Sequence, residues 1–283
     1  METVQQIIHR RRSVRTYSGE EIETEKLAHI QDMLSSPMQG PFGNEVKFVL
    51  FDISQLSNKE AKKLGTYGII KGARHFVAGS VQDAEGAVED FGYCMEKLIL
   101  ELTRMNLGTC WLAGTFRRKN FADKIGMAAE ELLPAVTPFG YIKDNRSIID
   151  RSLQYMAKSR ARKPFSEIFF HGDLNSPLDE SEAGEYRDAL EAVRVGPSAS
   201  NKQPWVIIKE RGGNIFHFFL RRTPGYVVKL GKIKIQNLDL GVAMCHFELV
   251  TAENGQNGEW IFNAPAPDIE TGEMEYIATW RKA

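Results

Sequence analysis

The 283-residue chain has only three cysteines, Cys94, Cys110 and Cys245, and no Cys-x-x-Cys spacing. That argues against a disulfide framework or a zinc site and for a reducing compartment. Charge of one sign is missing too. With 36 Lys and Arg against 37 Asp and Glu, the formal net charge is −1, so no global field favours nucleic acid or an anionic membrane. No apolar run approaches the roughly 20 residues of a membrane span. The N-terminus is polar and basic, without an apolar signal core, so a cytoplasmic protein is expected. No Gly-x-Gly-x-x-Gly fingerprint occurs, so no dedicated dinucleotide-binding domain is expected. What remains is ordinary: 42% hydrophobic, 26% charged. The length suits one large domain or two small ones burying roughly 75% of the unfolded surface.

Apolar spacing predicts a short helix over the first ten residues and a second over residues 24–35, stopped by Ser36-Pro37. Strands are predicted from Val46 to Phe51, His75 to Val81 and Val136 to Ile142. Residues 54–72, with Gly65, Gly68 and Gly72, read as a polar surface segment. Val88, Phe91, Met95, Leu98, Leu102 and Met105 step by three and four and mark a long, largely buried helix. Gly108 is placed to cap it, ahead of the Gly-bounded turn Thr109 to Gly114. A helix over Ser147 to Met156 and a strand over Glu167 to Phe170 flank the basic run Lys158 to Lys163.

The chemistry-bearing stretch is the loop Gly196-Pro197-Ser198-Ala199-Ser200-Asn201-Lys202-Gln203-Pro204-Trp205. It lies between a helix-period segment (Tyr186, Leu190, Val193) and the strand-like Val206 to Ile208. Its short hydroxyl and amide side chains can face one flat polar ligand. A repeat runs through the chain. Ile30, Met33, Pro37, Val46 and Phe48 recur 160 residues later as Leu190, Val193, Pro197, Val206 and Ile208. Asp90-Phe91-Gly92 and Met95 recur 149 residues later as Asp239-Leu240-Gly241 and Met244. Two similar α+β halves, 1–160 and 161–283, packed as a dimer within one chain, are the expectation.

Arg11-Arg12-Ser13-Val14-Arg15 with Tyr17, and Pro197-Ser198-Ala199-Ser200-Asn201-Lys202-Gln203-Pro204-Trp205, resemble the two flavin-contacting motifs of the FMN-dependent nitroreductase family. Leu107 to Gly114 resembles its turn along the flavin edge, Gly140-Tyr141 its late strand, and Arg160-Ala161-Arg162-Lys163-Pro164 its basic stretch near the phosphate. The resemblance implies a nitroreductase-like α+β fold and FMN as cofactor. Its motif order is unusual: the Arg-x-Ser-x-Arg motif lies in the first half and the intact Pro-Ser loop in the second. The first half's own loop, Pro37 to Asn44, has no serines. One cross-half site is therefore implied, resembling a fused nitroreductase-like subgroup, on a chain expected to be a monomer.

The implied cofactor-binding residues are Arg11, Arg12, Ser13, Arg15, Leu112, Ala113, Gly114, Arg160, Arg162, Pro197, Ser198, Ala199, Asn201 and Gln203. Arg11, Arg160 and Arg162 would serve the phosphate. Ser198, Asn201 and Gln203 would serve the pyrimidine edge, with Arg15 near N1/O2. The backbone of 112–114 would face N5, with Ala113 where the family often has an acid. The implied activity is ping-pong hydride transfer from NAD(P)H through flavin to a nitroaromatic or quinone-like acceptor, with no protein general base and no metal. Two alternatives are a flavin-binding protein without turnover and a nucleic-acid binder using the cluster His9 to Arg15. Trp111, Phe42 and Tyr226 are candidates to stack on an aromatic substrate. Trp205, His75 and His246 read as core or edge residues, and Cys110 as a small buried residue.

Overall fold

The structure is a computed structural model and describes residues 2–56, 64, 69–143, 161–226, 230–262 and 272–283. The chain opens with α1 (Val4–Arg10), started by a capping box in which Thr3 Oγ1 accepts from the Gln6 amide and the Gln6 side chain accepts from the Thr3 amide. The Val4 amide donates to the Glu253 carboxylate, which ties α1 to the far end of the sequence. Helix α2 (Thr24–Met33) buries Ile30.

The first sheet follows: β1 (Met38–Gln39), β2 (Glu45–Asp52), β3 (His75–Gln82), β4 (Gly108–Thr109), β5 (Glu131–Leu132) and β6 (Val136–Gly140). Its order is β1-β2-β3-β6-β4, with β5 also on β3. The ladders are antiparallel. Between β3 and β4 runs the long helix α3 (Ala87–Arg104). The left-handed residue at its end is Asn106 (φ 63), not Gly108, which is the first residue of β4. Asn tolerates this conformation better than most residues with a Cβ. A short polar helix, α4 (Arg118–Ile125), lies between β4 and β5.

The second sheet takes β7 (Phe169–His171), β8 (Asp173–Pro177), β9 (Trp205–Lys209), β10 (Ile215–Leu220), β11 (Gly258–Ile261) and β12 (Glu275–Lys282), in the order β11-β12-β10-β9-β7-β8. Only part of the strand expected over 167–170 is extended, because residues Phe165–Ile168 form a helical turn, α5. Helix α6 (Arg187–Arg194) precedes the 196–205 loop, and α7 (Ile235–Glu253) is the second long helix. The helix expected over 147–156, and most of 54–72, lie outside the described residues.

Helices α3 and α7 pack side by side within a core that draws on both sheets. Their approach is closest at two glycines. A Cβ on Gly92 would stand 2.3 Å from the Leu238 carbonyl oxygen, and one on Gly241 would stand 1.9 Å from the Glu89 carbonyl oxygen. Each contact leads to the residue 149 positions from the other's partner (238 − 89), so the pair is reciprocal. Near the start of both helices Lys232 pairs with Asp83 and Asn237 with Glu89; further along both, Glu96 meets His246. The helices therefore run in the same sense.

Candidate functional site

The Arg-x-Ser-x-Arg stretch is extended, not helical. Ser13 bridges Thr109 on β4, the Val14 amide donates to Thr109 O at 2.7 Å, and Thr16 bridges Lys71. The stretch therefore lies beside the turn that follows β4. In that turn Leu112 exchanges both backbone hydrogen bonds with Val136, and its side chain is buried. Its N–H is thus already used, and any amide contact to a ligand falls to Ala113 and Gly114. Arg118, which no motif pointed to, holds this turn: its guanidinium donates to the carbonyls of Ala113, Leu133 and Pro134.

The loop of the second half has a tight internal frame. Ser198 Oγ accepts from the Gln203 amide at 2.8 Å, and the Ala199 amide donates to Asp239 Oδ1 on α7 at 2.8 Å. Ser200, Asn201 and Gln203 all have positive φ, a sparsely populated conformation for residues with a Cβ that persists only when surroundings enforce it. Those surroundings are residues 161–163. Asn201 Nδ2 donates to Ala161 O at 2.8 Å, and Gln203 Oε1 accepts from the Lys163 amide at 2.9 Å. Lys163 Nζ donates to Gln203 O. Gln203 is only 4% exposed, so its amide shapes the loop. Arg162 Nη1 donates to Asn201 Oδ1 and Nη2 to Val195 O.

Arg11 comes from the other end of the chain to this same place. Burial, and then the charges of Arg11 and Arg194, push Arg162 down to about 10. Glu191, ion-paired with Arg194, opposes that shift. Arg11 Nε lies 3.6 Å from Glu96 Oε1, with the Arg11 side chain 7% exposed and Glu96 fully buried. Glu96 Oε2 also accepts from Trp111 Nε1 at 2.7 Å, and Oε1 lies 3.0 Å from His246 Nε2. Burial raises the Glu96 carboxyl, but the His246 hydrogen bond, the Arg11 charge and the Trp111 N–H together hold it below the ordinary carboxylate range.

The structure thus brings together Arg11, Arg162, Ser198, Ala199, Asn201 and Gln203, with Pro197 in the same loop, and sets Ser13 beside the turn carrying Leu112, Ala113 and Gly114. Arg12 is exposed, Arg15 half-buried, and Arg160 lies outside the described residues. Of the candidate stacking residues, Tyr226 covers the loop, its hydroxyl 3.1 Å from Ser200 Oγ. Trp111 is fixed by Glu96, and Phe42 packs against Phe262 with ring centroids 3.9 Å apart and the planes tilted by 36°. Trp205, Cys110 and His246 are buried in the core. Pattern reading missed Glu96, a polar residue inside an apolar helix stripe; its only sequence signal is that position. Among the described residues, no three His, Cys, Asp or Glu are grouped to hold a metal ion, and no helix is long and apolar enough to cross a membrane.

The protein family described as "Putative TM nitroreductase" matches residues 3–251. No curated protein matches the chain. Among solved structures, one from Thermotoga maritima MSB8, described as a "putative nitroreductase", is 17% identical with a TM-score of 0.62, and the match covers 98% of this chain and 93% of that one. A nitroreductase family protein of Clostridium novyi NT is 20% identical over 52% of this chain and 89% of its own, with a TM-score of 0.41. An FMN-dependent nitroreductase of Clostridium difficile R20291 is 17% identical over 50% and 88%, with a TM-score of 0.40. The first of these shares the fold, and with a family match over most of its length the chain belongs to this nitroreductase family.

Proposed function

We propose that the chain is an FMN-dependent oxidoreductase that moves hydride from NAD(P)H to a small electron-poor acceptor, nitroaromatic or quinone-like. The observation that carries this reading is the convergence on one loop of Arg162, bonded to Asn201 and Val195, and Arg11, tied through Glu96 and His246 to the Gly196 end of that loop. A doubly charged phosphate suits that pair, because guanidinium forks bind phosphate oxygens two at a time. Bound FMN would supply the hydride chemistry, so the protein needs no general base.

The residues of the chain then bind and orient. Arg11 and Arg162 hold the phosphate, with Arg160 a further candidate. Ser198, through its bond to the Gln203 amide, fixes the loop; Ala199 is pinned to Asp239, and Asn201 links the loop to Arg162. Ser13 and Arg15 are assigned to the flavin ring, together with the amides of Ala113 and Gly114. Pro197 sets the loop's entry. Arg12 is the weakest member of the set, since it is exposed.

The site is proposed to be single and to lie between two related halves, 1–160 and 161–283. The reciprocal glycine contacts support that relation, as does the common order β2-β3-β6-β4 and β9-β10-β12-β11. At a shift of 149, Ala113 corresponds to Phe262, and at 160, Lys202 corresponds to Phe42 (262 − 149 and 202 − 160). Those two phenylalanines pack against each other with their rings tilted by 36°, which supports a counterpart place occupied by the protein's own side chains. The test is anaerobic mixing of FMN-loaded protein with NADH and with NADPH. Bleaching of the flavin by either supports the reading. Retention of FMN with no bleaching by either supports a flavin-binding protein without turnover.

A further inference from the structure

We propose that Glu96 and His246 are positioning residues that set Arg11 and Trp111 against the Gly196–Trp205 loop, and thereby determine how strongly the site prefers a phosphorylated flavin over an unphosphorylated one. This rests on the flavin reading above.

Neither residue belongs to a flavin motif, yet together they touch the Arg-x-Ser-x-Arg motif and the turn after β4 and lie beside the first residue of the Pro-Ser loop. Glu96 on α3 meets Arg11 of the Arg-x-Ser-x-Arg motif and Trp111 of the turn after β4. His246 on α7 meets Glu96 through Nε2 and Ala192 O through Nδ1 at 2.8 Å. Nδ1 also stands 3.4 Å from where a Cβ on Gly196, the first loop residue, would be. Because a carbonyl oxygen can only accept, Nδ1 carries a proton. Nε2 faces Glu96 Oε1 at 3.0 Å. Trp111 donates to one oxygen of this fully buried carboxylate, while His246 and the Arg11 charge face the other, the latter as an ion pair at 3.6 Å. Burial of the neighbouring Cys245 thiol, and then Glu96 itself, keep it protonated; Lys97 is exposed on the outer side of α3.

The pair is present on one side only. A shift of 149 takes Glu96 to Cys245 and Lys97 to His246 (96 + 149 and 97 + 149), so the related place pairs a cysteine with an exposed lysine. The related tryptophan, Trp260, is held by Glu248 instead. Two related helices packed for stability alone have no reason to differ here. The difference falls on the side where the motifs are intact. Glu96 reaches Arg11 through Nε, which leaves the Nη end of the fork outside this contact.

The experiment measures dissociation constants for FMN and for riboflavin by flavin fluorescence, on wild type, Glu96→Gln, Arg11→Ala and the double variant. Gln keeps the volume and an acceptor for Trp111 while removing the charge. Glu96→Gln should reduce the FMN-over-riboflavin preference about tenfold, the scale of one charge-assisted contact, with riboflavin affinity little changed. It should cause no further loss in the Arg11→Ala background. An unchanged or increased preference, or an additive loss in that background, overturns the proposal. Should Glu96→Gln fail to fold, His246→Ala should lose the preference while His246→Gln, which can still donate to Glu96, retains it; equal behaviour of these two variants also overturns it. A wild type that binds both flavins equally overturns this proposal and leaves the flavin reading standing, whereas one that binds neither refutes the flavin reading and this proposal with it.

Discussion

Arg162 Nη1 donates to Asn201 Oδ1 at 3.1 Å, and Asn201 Nδ2 donates to the Ala161 carbonyl beside that arginine at 2.8 Å. The basic stretch and the loop are therefore one unit, locked by a reciprocal side-chain and backbone exchange. Asn201→Ala should release Arg162 as well as the loop, weakening FMN binding by about 0.5–3 kcal/mol. Combined with Arg162→Ala, the effects should fall short of additivity, since groups in one network couple. Isothermal titration of the two single variants and the double checks this; strict additivity would separate the two residues.

The contact between α3 and α7 makes a second prediction. Gly92→Ala and Gly241→Ala place a methyl group well inside contact distance of a backbone carbonyl, which no rotamer change can relieve. Each should destabilise the chain by about 1–3 kcal/mol or more, read by denaturant unfolding. A neutral Gly241→Ala would mean that the helices can separate without cost.

Asp239 predicts a pH dependence. Its burial pushes the carboxyl well up, opposed only in part by the Ala199 N–H, and Oδ2 has no hydrogen-bond partner among the described residues. A raised folded value means that the folded chain holds this proton more tightly than the unfolded chain. Asp239 therefore favours folding most below the ordinary carboxylate value, about 3.9, and that contribution declines as pH rises above it. Asn cannot ionise. The melting temperature of Asp239→Asn relative to wild type should climb as pH is raised from about 4 towards neutrality; a difference that stays flat would contradict the assignment.

These contacts differ in how far the sequence announced them. The long helix α3 and three strands of the first sheet, β2, β3 and β6, are visible as apolar period, because burial on one face leaves that trace, whereas α7 is marked only by its repeat of Asp90-Phe91-Gly92 and Met95. The loop and the Arg-x-Ser-x-Arg stretch are visible as local chemistry. Glu96 is not, since its partners His246 and Arg11 lie 150 and 85 positions away (246 − 96 and 96 − 11), and pattern reading treats a lone carboxylate in a helix as solvated. Helix α4 is also hidden, being mostly polar with only Phe121 buried. Gly108 looked like the helix cap, but Asn106 takes the left-handed turn two residues sooner, so that Gly108 can enter β4. Gln203 reads as a ligand-facing amide in sequence, whereas its partners Lys163 and Ala161 make it a brace for the loop.

Arg15 is assigned to the flavin ring, where negative charge develops on reduction. Arg15→Ala should therefore lower the midpoint potential of bound FMN, by roughly 30 mV for each 1.4 kcal/mol of preferential stabilisation lost, while oxidised FMN stays bound. Spectroelectrochemical titration reads the shift; an unchanged potential removes Arg15 from the ring.

The central claim is one flavin site per chain, built from both halves, and FMN titration of the apo-protein followed by sedimentation at low concentration tests it most directly. Saturation is expected at one FMN per chain, with the flavin retained on a monomer. Two equivalent sites per chain, or loss of flavin as an oligomer dissociates, would contradict it.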